Sequence, residues 1–152
     1  MGYDDAARRF VHSWKERGLR RLAAEAAMLV AERLPPPAVD AVTFVPADRT
    51  RRLERGHNPA EHLARELARV WGLPCEPLLA RVRGGRQRGA TATERRSVRG
   101  AFRAVTTAQR RVALVDDVYT TGATASAAST TLRAAGTRRV EVVTFARALR
   151  RI

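Results

Sequence analysis

Two adjacent carboxylates, Asp116 and Asp117, follow an apolar run and precede a short loop rich in hydroxyl groups. The run, residues 112–115, is typical of a strand that is covered on both faces in a parallel sheet. Open α/β sheets bind ligands just beyond the carboxyl ends of such strands. We therefore expect the two carboxylates to lie at the edge of a binding site.

The loop after the carboxylates contains Thr120, Thr121, Gly122, Ala123 and Thr124, and Ala-rich helical sequence follows it. Backbone N–H groups, hydroxyl donors and the partial positive charge of a helix N-terminus together suit an anion. Because carboxylates can bind sugar hydroxyls while amides bind phosphate, the stretch predicts a sugar-phosphate site. The alternative is an ordinary strand-to-helix turn, in which Asp and Thr serve only as capping residues.

Acidic pairs after an apolar strand also occur at the magnesium site of P-loop nucleotide hydrolases. Those proteins need an upstream Gly-rich loop that ends in lysine. The only lysine of the chain, Lys15, follows no such loop. The sequence therefore excludes this class of protein.

The elements that would position this site alternate between apolar strands and helices. They are a helical segment at residues 3–33 that breaks at Gly18, a strand at 41–45, a helix at 59–71, a short strand at 77–82, the strand at 112–115, a helix at about 123–135 and a last strand at 140–145. Asn58 is predicted to cap the 59–71 helix, which begins with a proline suited to a first helical position. This order favours an α/β fold with a parallel sheet.

Length and composition predict one domain. The 152 residues suffice for a three-layer α/β core, which we divide into an N-terminal helical segment (1–37), an α/β core (38–146) and a basic tail (147–152). No apolar run approaches the roughly 18 residues of a membrane span, and the first residues lack the pattern of a secretory signal. The single cysteine, Cys75, excludes an internal disulfide and is most simply a buried small side chain. We expect a cytoplasmic protein without membrane association.

Charge indicates a polyanionic partner. The chain has 29 basic and 15 acidic residues, a net charge of +14. This excess suits a phosphorylated small molecule or a nucleic acid backbone. A compositional bias toward arginine would explain the near absence of lysine but not the excess of charge. The aromatic fraction of 5% offers little surface for base stacking.

Two arginine-rich stretches flank the predicted site. The loop after the first strand is a plausible pyrophosphate cradle, since guanidinium groups bind phosphate in a bidentate manner, and it contains Arg49, Arg51, Arg52 and Arg55. The alternative is a solvated charged loop. The Gly/Arg-rich stretch between Arg81 and Arg103 has no helical or strand period, which indicates a functional or a disordered loop. As a functional element it would be a lid over a polyanion. His57 and His62 are predicted to be surface residues rather than metal ligands.

Residues 112–124 resemble the phosphoribosyl pyrophosphate (PRPP) motif of type I phosphoribosyltransferases. With KERG near the start, FVP, RGHN, RVR and RGAF, the resemblance extends to the ComF family of phosphoribosyltransferase-like proteins. It implies a three-layer type I phosphoribosyltransferase fold with a central, mainly parallel sheet. The departures are Tyr119, where a smaller aliphatic is usual, His57 and Pro59, an altered lid, and the lack of an N-terminal zinc module.

The resemblance also implies roles for individual residues. Asp116 and Asp117 would hold the ribose hydroxyls, and residues 120–124 the 5′-phosphate. The arginines at 49, 51, 52 and 55 would form the pyrophosphate loop, and Arg81, Arg83 and Gln87 would belong to the flexible lid. Mg²⁺ is the implied cofactor. It would be held through PRPP, with Asp116 or Asp117 as the candidate direct contact.

Three functions are compatible with these features. The first is transfer of a 5-phosphoribosyl group from PRPP to an unknown acceptor, with release of pyrophosphate. The second is a PRPP or nucleotide sensor without turnover. The third, from charge and family context, is a factor that handles single-stranded DNA or binds competence proteins in bacterial DNA uptake. A homodimer is a further option that no sequence stripe demands.

Overall fold

The centre of the fold is a three-stranded parallel sheet in the order β1–β4–β5. A computed structural model describes residues 20–48, 53, 56–82, 100–106 and 110–147, and it gives β1 as Ala41–Phe44, β4 as Arg111–Tyr119 and β5 as Arg139–Arg147. Residues 112–115 of the central strand are completely buried. This burial is what the continuous apolar run of β4 indicates, because both of its faces are covered.

Helices cover the two faces of this sheet. Helices α1 (Arg20–Ala31) and α2 (Pro59–Trp71) pack on the face that presents Ala113 and Val115. Helix α3 (Ala123–Ala134) packs on the opposite face, where Val112 and Leu114 point. The alternation of side chains along β4 therefore builds two apolar cores, one on each side. This is the three-layer α/β arrangement that the sequence predicted.

Local signals set the bounds of α2. Pro59 fits the first turn of a helix, and Gly72 ends it with φ of 66°, donating its N–H to the carbonyls of Ala68 and Arg69. Asn58 precedes the helix in an extended conformation but makes no side-chain capping bond. Instead its Nδ2 donates to the carbonyl oxygen of Val45 at 3.2 Å. The predicted position of Asn58 is right, but its predicted capping role is wrong, because the side chain is directed to the end of the neighbouring strand.

The short strand β2 (Leu79–Arg81) does not join the parallel sheet. It pairs antiparallel with β3 (Phe102–Ala104) in a separate two-stranded sheet. The parallel order expected for the second strand is therefore wrong, and a further strand lies in the Gly/Arg-rich stretch where no period was detected. The pair is held by burial, since Leu79 and Phe102 pack with Leu114 on the α3 side of the sheet.

The central strand is longer than its apolar run. β4 continues through the carboxylates, with Asp116 opposite Thr144 and Tyr119 opposite Arg147 in the parallel ladder with β5. The carboxylates are thus fixed by sheet pairing rather than carried on a loose loop. No helix among the described residues is long and apolar enough to cross a membrane.

An ion pair joins the amino ends of β1 and β4. The Asp40 carboxylate accepts hydrogen bonds from the backbone N–H of Arg111 and from its Nη2, both at 2.8 Å. The hydrogen bonds from the Arg111 side chain and backbone lower the pKa of Asp40 from 3.8 to about 2. The register between the two strands is therefore supported at the end away from the carboxylates.

Candidate functional site

The carboxyl ends of β1 and β4 form the wall of a cavity of about 300 Å³. This volume is at the lower end of the range for small-molecule sites. Its polar lining comes from the segment after β1, the residues just before α2, the end of β2, the carboxyl end of β4, the loop after it and the first turn of α3. These polar residues are Asp48, His57, Asn58, Arg81, Asp116, Asp117, Thr120 and Thr124.

The two adjacent carboxylates are held by the backbone that follows them. Asp116 accepts a hydrogen bond from the N–H of Asp117 at 3.0 Å, and Asp117 accepts one from the N–H of Val118 at 2.9 Å. Both side chains are partly buried. Because a carboxylate accepts several hydrogen bonds, these oxygens can also receive hydroxyls of a bound molecule. The predicted pair thus lies on one cavity wall, in a defined orientation.

The small loop after β4 turns into α3 at Gly122. This residue has φ of 75°, a left-handed conformation that favours glycine. Thr121 Oγ1 accepts the N–H of Ala123 at 3.4 Å, and the N–H of Ser126 donates to the Gly122 carbonyl at 2.8 Å. Thr120 and Thr124 line the cavity, while the turn between them begins the helix. The structure therefore places a helix N-terminus beside the carboxylate pair.

Tyr119 packs against this turn. A Cβ added at Gly122 would overlap the Tyr119 phenol oxygen. Tyr119 ends β4, opposite Arg147 in the ladder, so its backbone is fixed while its ring lies against the loop. Tyr119 stands where the family usually has a smaller aliphatic residue, and this difference affects the packing of the loop.

Arg81 is fixed on strand β2, at the beginning of the predicted lid. Its Nε donates to the Pro46 carbonyl at 3.1 Å, and its guanidinium lies 5.0 Å from the centroid of the Phe102 ring. The hydrogen bond to Pro46, just after β1, and the cation–π contact with Phe102 on β3 together hold the Arg81 guanidinium at the cavity. The predicted residues Arg49, Arg51, Arg52, Arg55, Arg83 and Gln87 lie outside the described part of the chain.

Sequence reasoning missed two cavity residues. His57, predicted to be a surface residue, lines the cavity and stacks on His62 with ring centroids 5.5 Å apart and an interplanar angle of 23°. Asn58 is buried and joins α2 to the end of β1 through Val45. The available signal was their position between the arginine loop and the helix that covers the first strand.

The site can supply oxygen ligands to a cation. No cluster of three or more His, Cys, Asp or Glu side chains suited to a metal ion occurs within the described residues. Mg²⁺ in nucleotide sites is held by one or two carboxylates together with phosphate oxygens of the ligand. Asp116 and Asp117 fit that donor set.

No protein-family model matches the chain. Over 116 residues it is 37% identical to Competence protein F of Haemophilus influenzae, and the match covers 72% of this chain and 51% of that protein. The chain therefore spans about half the length of this curated relative.

Solved structures with a similar fold include two that are 26% identical to this chain. Glutamine PRPP amidotransferase from B. subtilis, complexed with ADP and GMP, matches with a TM-score of 0.60 and 26% identity over 81% of this chain and 26% of the other. A structure described as the allosteric regulatory enzyme of purine biosynthesis matches with a TM-score of 0.58 and 26% identity, over 81% of this chain and 25% of the other. Adenine phosphoribosyltransferase from Thermoanaerobacter pseudethanolicus matches with a TM-score of 0.53 and 12% identity, over 86% of this chain and 83% of the other. This match is a likeness of fold alone.

Proposed function

Because the chain has a ComF-like fold of the phosphoribosyltransferase type, we propose that its cavity binds PRPP with Mg²⁺ and transfers the 5-phosphoribosyl group to an acceptor, releasing pyrophosphate. One observation carries the proposal. Asp116, Asp117 and the helix-forming turn at Thr120 line the same cavity as the anchored cation of Arg81. A ribose with anionic groups at both ends matches this distribution of acceptors and donors.

Each part of the cavity has a role in this proposal. The carboxylates of Asp116 and Asp117 accept the ribose 2′- and 3′-hydroxyls. The hydroxyls of Thr120 and Thr124, with the backbone N–H groups at the start of α3, bind the 5′-phosphate. Arg81 binds the pyrophosphate end together with the arginines of the loop after β1. The amide of Asn58 fixes the wall between β1 and α2.

The proposed chemistry needs charge compensation more than covalent help. The anomeric carbon becomes cationic as the bond to pyrophosphate breaks, and the leaving group gains charge. Bound Mg²⁺ would supply charge neutralisation on the pyrophosphate oxygens. The partly buried carboxylates stabilise the cationic sugar, and Arg81 stabilises the leaving group from a position that needs little reorganisation.

Calorimetry on a charge-neutral site tests this proposal. The double variant Asp116→Asn, Asp117→Asn should lose measurable Mg-dependent PRPP affinity, because both ribose acceptors are altered. The matched control is Glu76→Gln with Glu141→Gln, which neutralises two carboxylates that form ion pairs with Arg110 and Arg139 outside the cavity. Unchanged affinity in the site variant would remove the ribose assignment.

A second function, contact with single-stranded DNA in bacterial competence, is favoured by the net charge of +14. The similarity to Competence protein F supports a link to that process.

A non-catalytic PRPP sensor would use the same cavity as the enzyme. Pyrophosphate release, assayed with purine, pyrimidine and amine acceptors, distinguishes the sensor from the enzyme. The enzyme releases pyrophosphate with at least one acceptor, and the sensor releases it with none.

A further inference from the structure

The imidazole of His57 lines the candidate PRPP cavity. It stands at a position where the sequence departs from the ComF pattern. Because an imidazole carries an N–H group in both its neutral and its protonated form, it can donate a hydrogen bond to an anion. The cavity therefore contains a donor that belongs to this chain rather than to the family pattern.

The position of the His57 ring is fixed by its neighbours. The ring stacks on that of His62, with centroids 5.5 Å apart and 23° between the planes. His62 belongs to α2, and its backbone N–H donates to the Asn58 carbonyl at 3.1 Å. Asn58, which follows His57 in the chain, is buried and donates its side-chain N–H to the Val45 carbonyl. A ligand that contacts this imidazole therefore immobilises little that is not already held.

His57 and the guanidinium of Arg81 belong to the same part of the cavity lining. Both are attached to the end of β1, since Asn58 donates to the Val45 carbonyl at 3.2 Å and Arg81 donates to the Pro46 carbonyl at 3.1 Å. The carboxylate pair and the hydroxyl groups come instead from the end of β4 and the residues after it. The imidazole thus lies with the cation proposed for pyrophosphate, and not with the groups proposed for the ribose and its 5′-phosphate.

The charge of this part of the lining leaves room for a second donor. Pyrophosphate is the most highly charged part of PRPP, and within the described lining Arg81 is the only permanent cation. The carboxylate of Asp48 adds negative charge to the residues after β1. A further N–H group there would offset the repulsion between that carboxylate and a bound pyrophosphate.

We propose that His57 is a specificity-determining residue, whose imidazole N–H binds the pyrophosphate of PRPP together with Arg81. The inference rests on the proposed function, and it adds a residue that distinguishes PRPP from ribose 5-phosphate. Ribose 5-phosphate has the same hydroxyls at C2 and C3 and the same 5′-phosphate, but no pyrophosphate. It therefore gains nothing from the His57 donor.

Calorimetry with PRPP and with ribose 5-phosphate, each in the presence of Mg²⁺, tests this role. His57→Phe keeps a planar ring for the stack but has no N–H. It should weaken PRPP binding by about ten- to a hundredfold, the range expected when a hydrogen bond to a charged group is lost, and leave ribose 5-phosphate binding within about twofold of the wild type. The matched control is His62→Phe, which also keeps the stack, but His62 is not among the described residues that line this cavity. It should leave both affinities unchanged.

Variants that retain a donor provide a rescue. His57→Asn and His57→Gln place an amide N–H near the positions of Nδ1 and Nε2, so at least one of them should recover part of the PRPP affinity that His57→Phe loses. Urea denaturation of each variant measures stability separately. A residue with a merely structural role would lower the stability and both affinities together.

The outcomes distinguish a failure of this assignment from a failure of the proposed function. If His57→Phe binds PRPP like the wild type, or weakens both ligands equally, His57 does not determine specificity and the PRPP site stands. The same holds if neither amide variant recovers affinity, or if His62→Phe costs as much as His57→Phe, since the effect then comes from packing at the start of α2. If the wild type does not bind PRPP, the proposed function fails, and the role of His57 fails with it.

Discussion

Gly122 is constrained by its backbone and by its neighbour at the same time. Its φ of 75° suits glycine, and the Tyr119 phenol occupies the space in which a side chain would lie. The turn that begins α3 therefore depends on Gly122, which has no side chain, and on Tyr119, which has a large one. Any substitution at Gly122 changes both the backbone energy and the position of the ring.

Replacing Gly122 by alanine should destabilise the protein more than the same change at Gly136. Both glycines have positive φ, but nothing lies within 4 Å of a Cβ added at Gly136. Gly136→Ala should cost about 1–3 kcal/mol in free energy of unfolding from backbone strain alone. Urea denaturation measures both variants. In a Tyr119→Ala background the difference between them should vanish, and a difference that persists would contradict the packing explanation.

Arg81 acts at the residue scale as a cation anchored at the cavity. Arg81→Gln should weaken Mg-dependent PRPP binding by about ten- to a hundredfold, the range expected when a hydrogen bond to a charged group is lost. Arg103→Gln is the control, since Arg103 lies exposed on the paired strand β3 and is absent from the cavity lining. Equal affinities for the two variants, measured by calorimetry, would argue against a role for Arg81 in binding.

At the scale of elements, Asn58 links the start of α2 to the end of β1 by a side-chain hydrogen bond. It stands where a capping residue would, yet its Nδ2 donates to the Val45 carbonyl and its side chain accepts no helix N–H. The distinction matters because a cap needs an acceptor and this bond needs a donor. The start of α2 and the end of β1 are thus coupled by one amide.

Substitutions at Asn58 separate these two roles. Asn58→Asp keeps a good capping residue but removes the donor, so it should lose about 1–3 kcal/mol in free energy of unfolding, as Asn58→Ala should. Urea denaturation at neutral pH provides the comparison. Full stability in Asn58→Asp, together with loss in Asn58→Ala, would restore the capping role.

The pair of Asp40 and Arg111 supports the ladder between β1 and β4 in a pH-dependent way. Because the pKa of Asp40 is lowered from 3.8 to about 2, the ionised form contributes stability above about pH 4. That contribution is lost as the pH falls through about 2. The difference in Tm between the wild type and Asp40→Asn should therefore shrink from pH 5 to pH 2. It should also shrink in high salt, because the pair is exposed.

How much of the structure follows from sequence depends on how local each signal is. The bounds of α2, Pro59–Trp71, were predicted because proline and glycine act on the adjacent backbone. The pairing of β2 with β3 was not, because it depends on burial of Phe102 against residues distant in the chain. That His57 lines the cavity was not predicted for the same reason, since the lining comes from separate elements of the chain. The carboxylates line the same cavity as Thr120 and Thr124 of the small loop, which follows them directly in the chain.

At the scale of the whole molecule, the lining of the candidate PRPP site differs in charge from the chain. Among the described residues it combines the guanidinium of Arg81 with the carboxylates of Asp48, Asp116 and Asp117. This described lining therefore has more carboxylates than guanidinium groups, whereas the chain carries +14. We expect a polyanion such as DNA to be bound by basic surfaces other than this lining.

Single-stranded DNA affinity, if the second function holds, should fall steeply with salt because bound counterions are released. Arg86→Ala, Arg88→Ala, Arg95→Ala and Arg96→Ala combined should reduce both the affinity and the slope against salt concentration. The double variant of Asp116 and Asp117 should leave both unchanged. Fluorescence anisotropy with a labelled oligonucleotide at several salt concentrations measures these values. An unaltered slope in the arginine variant would exclude that stretch as the DNA contact.

The short segment that contains Cys75 lies beside β1, where Cys75 forms an isolated parallel bridge with Val42. The N–H of Val42 donates to the Pro74 carbonyl, and the N–H of Glu76 donates to the Val42 carbonyl. Burial raises the pKa of the Cys75 thiol, so alkylation of the closed form is slow. Since the chain has one cysteine, the rate at which Cys75 is labelled measures how often this sheet edge opens. The measurement needs no introduced cysteine.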